Sequence, residues 1–473
     1  MALRTKAEYV ASLRDGRRVY YRGARVPDVT AHPVMRIAID HAAIDYEIAD
    51  DPRHRDLAVV DGASRYYAVP RTAEDLLRRS ELIALCTREG ATLVTLIKEI
   101  GSDALFALGR VAPRLGGEYA ARIAAFHREC RDGDLALAVA QTDVKGDRAL
   151  GPGQQPDASA YVRVVSRGPK GITVRGTKVH TSVSVNANEL IVLPTRQLVE
   201  ADADYAVAFA VPLDTPGLTL VASPYLSAEG RSPLEHPISA RHKMIETTTI
   251  FDDVFVPWDR VFMCGEWQHA GALAIEFVEY HRFTAVSYKL PLLDALVGAA
   301  VAIAEANGTT KAGHVRDKLA WLAAYATTVR GLTHQAAVAC QFTGEPPVAV
   351  PDPLLVNVAK LHFAQQYHTA LLHVQDIAGG LLATAPSAED LASADHGAWL
   401  ERAFRGVEGI SGVDRLRLMS LISDLTTGEY GGYQAVLAIH AEGSIEAEKL
   451  TILRQFDIAA ARAYARRLAG LDG

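Results

Sequence analysis

A strand-rich block set between two stretches that read as helix most constrains what this chain can fold into. It opens at Gln141-Thr142-Asp143-Val144-Lys145-Gly146-Asp147-Arg148, a run of polar turn residues, and its strand-like part begins at Tyr161. Tyr161-Val162-Arg163-Val164-Val165 alternates and is rich in β-branched residues. Gly168-Pro169-Lys170-Gly171 then signals a hairpin turn into Ile172-Thr173-Val174-Arg175-Gly176. Segments 190–194, 206–212, 218–221 and 248–257 complete about six to eight strands. That spacing predicts a small antiparallel barrel or a sandwich, closed by Pro257-Trp258.

The flanks have helical period. A short helix over Lys6 to Arg14 precedes a hairpin-like arm at Val19 to Gly23, and His32-Pro33 introduces a helix through Ile48. Within 73–130, Leu76, Leu77, Leu82 and Leu85, then Leu93, Leu96, Ile97 and Ile100, recur at helical spacing. Beyond residue 269, Ala/Leu-rich runs at 270–307, 311–343, 353–383 and 413–440, with a final helix near 444–469, predict an antiparallel four-helix bundle. Its wide apolar faces point to packing on a partner subunit. The expected class is α+β: an N-terminal helical domain over 1–140, a middle antiparallel β-barrel over 141–268, and a C-terminal four-helix bundle over 269–473. No GxGxxG follows a strand, which argues against a dinucleotide-binding α/β fold.

Charge and cysteine usage narrow the partners. The net charge is −7 with acids and bases interspersed, so no nucleic-acid or membrane surface is expected. Cys86, Cys130, Cys264 and Cys340 are far apart, which predicts no metal site and fits reduced thiols in a cytoplasmic protein. Met1 to Tyr9 carries charges and no apolar run, unlike a secretion signal. The apolar tract Leu290 to Ala304 contains Asp294 and reads as buried helix, too short to span a bilayer.

Four clusters could carry chemistry. Gln141, Thr142 and Lys145 sit in the entrance turn, where a hydroxyl and freed backbone N–H groups could cradle a flat polar cofactor; a solvated loop is the plain alternative. His180, Thr181 and Ser182 gather where a strand ends, also readable as a Ser/Thr turn. In Gln375-Asp376-Ile377-Ala378-Gly379-Gly380, each glycine costs a helix about 1 kcal/mol. Either a ligand or helix approaches the bare backbone there, or the helix ends. Last, His281, Ala285 and Lys289 fall on one helix face, with Tyr280 and Arg282 adjacent, and Glu246 on the last strand could face them; a buried structural histidine is the plain alternative. Ala285 leaves room between imidazole and ammonium, and a His, a Glu and a Lys at one pocket suit acid–base work.

Together these motifs resemble, over essentially the full length, the 4-hydroxyphenylacetate 3-hydroxylase and 4-hydroxybutyryl-CoA dehydratase superfamily. The resemblance is carried by Glu8-Tyr9, Ser12 to Arg17, Asp28-Val29-Thr30 and His32-Pro33; by Thr142 to Arg148 and Arg175 to Thr181; and by Phe251 to Pro257, Asp376 to Gly380 and Ala441-Glu442-Gly443-Ser444. It implies an acyl-CoA-dehydrogenase-like fold, a homotetramer, and FAD between barrel and bundle. Thr142 and the His180–Ser182 loop would touch the flavin ring, and Gln375 to Gly380 would approach the dinucleotide from a neighbouring subunit.

The resemblance further implies two chemistries. The dehydratase branch holds an iron–sulfur cluster at positions matching Thr95, Glu99, His281 and Tyr288, of which only the histidine is kept here. Glu246 and Lys289 match that branch, while its C-terminal carboxylate falls at about Leu437. The hydroxylase branch is matched by Gly428-Glu429-Tyr430-Gly431-Gly432, but its phenol-binding Arg, Tyr and His fall at about Lys98, Ser102 and Val139. The expected activity is a two-component monooxygenase: a separate reductase supplies reduced FAD (FADH2), which reacts with O2 to a flavin C4a-hydroperoxide that hydroxylates a small, phenol-like substrate. Candidate catalytic residues are His281, Arg282, Glu246 and Lys289, with Lys98, Ser102, Ala285 and Tyr288 toward the substrate. The alternatives are a cluster-free dehydratase or isomerase of an acyl thioester, and a non-catalytic flavin-binding assembly protein.

Overall fold

The computed structural model describes residues 3–225 and 230–471. The first 140 residues contain helices α1 (Lys6–Ser12), α2 (Pro33–Ala42), α3 (Ile44–Asp50), α4 (Arg55–Ala58), α5 (Ala73–Glu89), α6 (Glu99–Leu115) and α7 (Tyr119–Asp132). They also contain strands β1 (Val19–Tyr21), β2 (Ala24–Val26), β3 (Val59–Val60), β4 (Ala63–Ser64) and β5 (Leu137–Ala140). The middle holds β6 (Arg163–Gly168), β7 (Gly171–Ser182), β8 (Glu189–Val192), β9 (Val207–Pro212), β10 (Leu218–Ala222), β11 (Glu246–Pro257) and β12 (Val261–Cys264). Then come α8 (Trp267–Ala306), α9 (Gly313–Val338), β13 (Gln341–Thr343), β14 (Val348–Val350), α10 (Pro353–Ala378), α11 (Leu381–Thr384), α12 (Ala388–Ala392), α13 (Gly397–Ala403), α14 (Gly412–Thr426), α15 (Glu429–His440), α16 (Ile445–Gln455) and α17 (Ile458–Leu468).

The strands form two main sheets, one of six strands in the order β2-β1-β10-β11-β7-β6 and one of four in the order β12-β9-β8-β5. Two expectations are corrected. The pairing is mixed, because β1 runs parallel to β10 and β5 parallel to β8. The expected arm at Val19 to Gly23 is the β1–β2 hairpin, but it and β5 join the main sheets from the N-terminal segment expected to stand apart as a helical domain, since edge strands with free N–H and C=O groups pair with whatever strand the chain brings alongside. The two 12-residue strands β7 and β11 form the spine. Their register sets Ser182 opposite Glu246 and Thr181 opposite Thr247. Gly176 in β7 has φ +144, and a Cβ there would lie 2.4 Å from the Tyr161 carbonyl, so that close approach requires glycine.

Leu93, Leu96 and Ile97 do not belong to a helix. Residues 91–98 are irregular, with positive φ at Ala91, Thr92 and Leu96, and α6 begins at Glu99. All three apolar side chains are buried, so an irregular chain packed on several sides imitates helical period. The long helices fall close to where their period places them, except that α9 stops at Val338 and residues 341–343 of its expected run form β13, α10 stops at Ala378, the run 413–440 breaks at Thr427-Gly428, and the last helix breaks before Asp457. Helix α8 packs against α5, α6, α9, α10 and α14. Its 40 residues exceed the expected tract. By length and composition it could cross a bilayer, but 61% of its most apolar window is buried inside the protein.

Candidate active site

The entrance turn and the end of β7 are fastened together by one buried ion pair. Lys178 Nζ lies 2.8 Å from Asp143 Oδ1 and donates to the carbonyls of Gln141 (2.7 Å) and Leu193 (3.0 Å). Asp143 also accepts from Thr195 Oγ1 and the Val162 N–H, and Val179 N donates to Thr142 O at 2.9 Å. Burial lowers the Lys178 pKa, against the pull of Asp143. A narrow cleft opens here between the segments around Tyr161 and Arg196, with Asp143 and Lys178 in its wall.

Along this edge Gln141, Thr142 and Lys145 are half-buried and His180 is exposed. Among the described residues, their side chains find no hydrogen-bond or ion-pair partner. Lys145 and His180 are also held at positive φ, 75° and 56°. Unspent donors and acceptors lined up on a pinned turn suit a ligand with a polar edge. Thr181 and Ser182 differ. Thr181 is fully buried and its hydroxyl accepts from Thr249 Oγ1 at 3.0 Å, while Ser182 Oγ donates to Glu246 at 2.8 Å.

Glu246 does not face His281 and Lys289. It accepts from Ser182 and, at 2.8 Å, from the Tyr433 hydroxyl of α15, a residue sequence reasoning missed. Burial raises its pKa, and the two hydroxyl donors oppose that rise. His281 instead stacks on Phe277 and lies 3.3 Å from Asp103 of α6, which also takes Arg79 and Thr284.

Lys289 and Arg282 both bond Glu442, in the turn between α15 and α16, the first at its carboxylate and the second at its backbone carbonyl. Lys289 Nζ is 3.1 Å from Glu442 Oε2, Tyr288 donates its phenol to Glu442, and Arg282 donates to the Glu442 carbonyl at 3.0 Å and to Asn357 at 2.6 Å. Lys360 pairs with Glu448 behind them. Burial, then the charge of Lys360, drives Lys289 well down, while burial, then Glu448, drives Glu442 well up. Both shifts run toward the uncharged pair, which is reached by one proton passing between them. Glu442 has φ +56 and Gly443 φ +106, so the turn that brings this carboxylate in favours glycine at 443, where a Cβ would also meet the end of the Arg282 side chain. The Ala441–Ser444 motif was the signal available in the sequence for this carboxylate.

The expected substrate-facing residues separate. Ala285 is buried between these groups on α8, and Tyr288 is engaged by Glu442. Lys98 is fully buried, 2.7 Å from Asp134 and 3.8 Å above the Tyr46 ring, so a protein carboxylate takes the ammonium expected to face the substrate. Ser102 donates to helix carbonyls and accepts from Arg79. Gln375 to Gly380 ends α10, with Gly379 at φ +86 as its cap and Asp376 paired to Lys318. That stretch caps a helix of the C-terminal array and is not part of the rim formed by 141–145 and 178–180.

This mixed fold is shared by a known family, one of whose solved members holds FAD. The chain belongs to the 4-hydroxyphenylacetate 3-hydroxylase family: residues 5–263 match its N-terminal part and residues 270–470 its C-terminal part. Among its relatives is the 4-hydroxybutyryl-CoA dehydratase/vinylacetyl-CoA-Delta-isomerase of Clostridium aminobutyricum, 30% identical over 99% of this chain and 100% of the relative. The oxygenase component of 4-hydroxyphenylacetate 3-monooxygenase from Thermus thermophilus is 30% identical over 91% of this chain and 90% of its own. A crystal structure of such an oxygenase component complexed with FAD superposes with a TM-score of 0.91 at 29% identity, covering 98% of each chain. The free polar side chains of Gln141, Thr142, Lys145 and His180 fit the polar edge of a flavin.

Proposed function

We propose that this protein is the oxygenase component of a two-component, reduced-FAD-dependent monooxygenase acting on a small organic substrate. The observation that carries this reading is the chemistry at 95, 99 and 288. Thr95 and Glu99 are hydrogen-bonded to each other at 2.8 Å and Tyr288 is bonded to Glu442, so no thiolate stands at any of these positions. An iron–sulfur cluster of the dehydratase kind lacks its sulfur ligands here. Bound reduced flavin would supply the activation of O2. Gln141, Thr142, Lys145 and His180 would bind and orient its polar edge. The packed groups around Ala285 would keep water from the reacting face, which limits wasteful release of H2O2. Ser182 and Tyr433 would hold Glu246 as a proton acceptor. The relatives' role as oxygenase components supports a separate reductase, and the exposed apolar side chains Ile458, Tyr464 and Leu468 of α17 support assembly into a homotetramer.

The test is anaerobic binding of photoreduced FAD, followed by stopped-flow mixing with oxygenated buffer. Slower reoxidation than that of free FAD, with an H2O2 yield that falls when phenols are added, is expected. No binding of reduced FAD, or reoxidation at the free rate, would refute the proposal.

A second reading, an acyl-thioester dehydratase or isomerase without a cluster, is favoured by the buried Lys289–Glu442 pair, an acid and a base sharing a proton. It predicts turnover without O2, so assay under nitrogen separates the two.

A further inference from the structure

We propose that Asp45 and Glu99 form a buried site that holds one shared proton, bridged by the hydroxyl of Thr95. Asp45 of α3 is 3% exposed; Glu99, the first residue of α6, and Thr95 are 0% exposed. Thr95 Oγ1 lies 2.9 Å from Asp45 Oδ1 and 2.8 Å from Glu99 Oε1. A hydroxyl has one hydrogen, so it donates to one carboxyl only, and the other contact is a hydrogen bond only if that carboxyl is itself the donor. Two carboxylates here would leave one oxygen pair in bare repulsion.

The surroundings agree. Among the described residues no cation forms an ion pair with either carboxyl: Lys98 Nζ is taken by Asp134 and Arg79 by Asp103, each at 2.7 Å. The structure also says which one carries the proton. Glu99 Oε2 accepts the Lys98 backbone N–H at 3.1 Å, so both Glu99 oxygens are already acceptors. Asp45 Oδ2 has no partner at hydrogen-bond geometry, and the Cys86 thiol beside it is at most a weak donor; a neutral acid tolerates that far better than an anion. The proton therefore sits on Asp45 Oδ1 and points to Thr95, whose own hydrogen points to Glu99. The titratable groups facing Asp45 are Glu99, Lys98, the Cys86 thiol and the phenols of Tyr9, Tyr46, Tyr66 and Tyr67. Burial and the Glu99 charge drive its pKa well up.

Thr95 is part of the irregular segment 91–98, whose Val94 carbonyl bonds His41 and whose Thr92 hydroxyl bonds Tyr430 of α15. Asp45 is thus a positioning residue: its proton sets the hydrogen-bond direction that holds this segment between α3 and α6. Unlike the flavin reading, this inference needs no cofactor.

The test uses infrared spectra of the full protein at pH 7 and denaturation across pH. The wild type minus Asp45→Asn difference should show the carbonyl stretch of a neutral carboxylic acid, sensitive to D2O, and Glu99→Gln should keep that band. The amide that Asp45→Asn introduces can donate to Thr95 as the acid does. The variant should therefore stay folded, and it should remove a loss of about tenfold in the wild type's folded-to-unfolded ratio per pH unit above the usual aspartate range. A missing acid band at pH 7, a band lost in Glu99→Gln but kept in Asp45→Asn, or the same pH slope in wild type and Asp45→Asn would overturn the proposal.

Discussion

Replacing Lys178 with methionine tests whether one buried pair holds the candidate cofactor edge in place. The substitution keeps the apolar stem and removes a cation that touches Asp143, the Gln141 carbonyl and the Leu193 carbonyl. Asp143, 4% exposed, is left as a buried charge without its counter-ion. Removing one partner of such a pair costs about 3–5 kcal/mol, the larger share being the stranded charge. With 473 residues and about 2 cal/mol/K of unfolding entropy per residue, ~1 kcal/mol shifts a single transition by ~1 °C. Lys178→Met should therefore melt about 4 °C below wild type. The stranded charge vanishes in the double variant Lys178→Met/Asp143→Leu, which should recover to within about 2 °C, since well-packed apolar replacements of a buried pair are often neutral. Reduced-FAD affinity should behave differently. Both variants release the entrance turn from β7, and losing about one hydrogen bond's worth of preorganisation weakens binding about tenfold. Calorimetry and anaerobic fluorescence titration measure the two quantities. A single variant as stable as wild type, or a double variant as damaged as the single, would refute the stranded-charge argument. Unchanged affinity in both would refute the role assigned to the turn.

Other predictions follow from neighbouring groups. His41 donates Nε2–H to the Val94 carbonyl at 3.0 Å, and its Nδ1 lies 3.2 Å from His242 Nδ1; burial lowers its pKa to about 3. The unfolded chain then binds more protons between pH 6.5 and 3, so stability present above pH 6.5 is lost as pH falls through that window, by about 5 kcal/mol. His41→Gln should flatten that part of the curve in urea titrations at stepped pH. Lys98→Met removes the 2.7 Å partner of buried Asp134 and should cost about 3–5 kcal/mol in stability, with KM for substrate unchanged in the folded fraction; a raised KM at unchanged stability would restore a substrate-facing role. Tyr433→Phe removes a donor from Glu246, so the carboxyl pKa should rise further, and the acidic limb of a pH–rate profile that needs ionised Glu246 should move up with it. Gly443→Ala should displace Arg282 from the Glu442 carbonyl and lower the melting point; no change would show that the turn yields freely.

The sequence by itself determined the order of helix, sheet and helix, the places of α8, α9 and α10, and the polar character of the 141–148 turn. Period and turn chemistry act over neighbouring residues, so one chain displays them directly. It also determined that no thiol stands at 95, 99 or 288. Only the tertiary structure decided that β1 and β5 join the sheets, that Leu93 to Ile97 are not helical, and that Glu246 belongs with Ser182 and Tyr433. It alone turned Lys98 toward Asp134 and brought Glu442, 153 residues away in sequence, onto Lys289. The reason is physical. A buried charge takes whatever opposite charge or donor the packing brings within about 3 Å, and which group that is depends on strand register and helix contact rather than on local spacing.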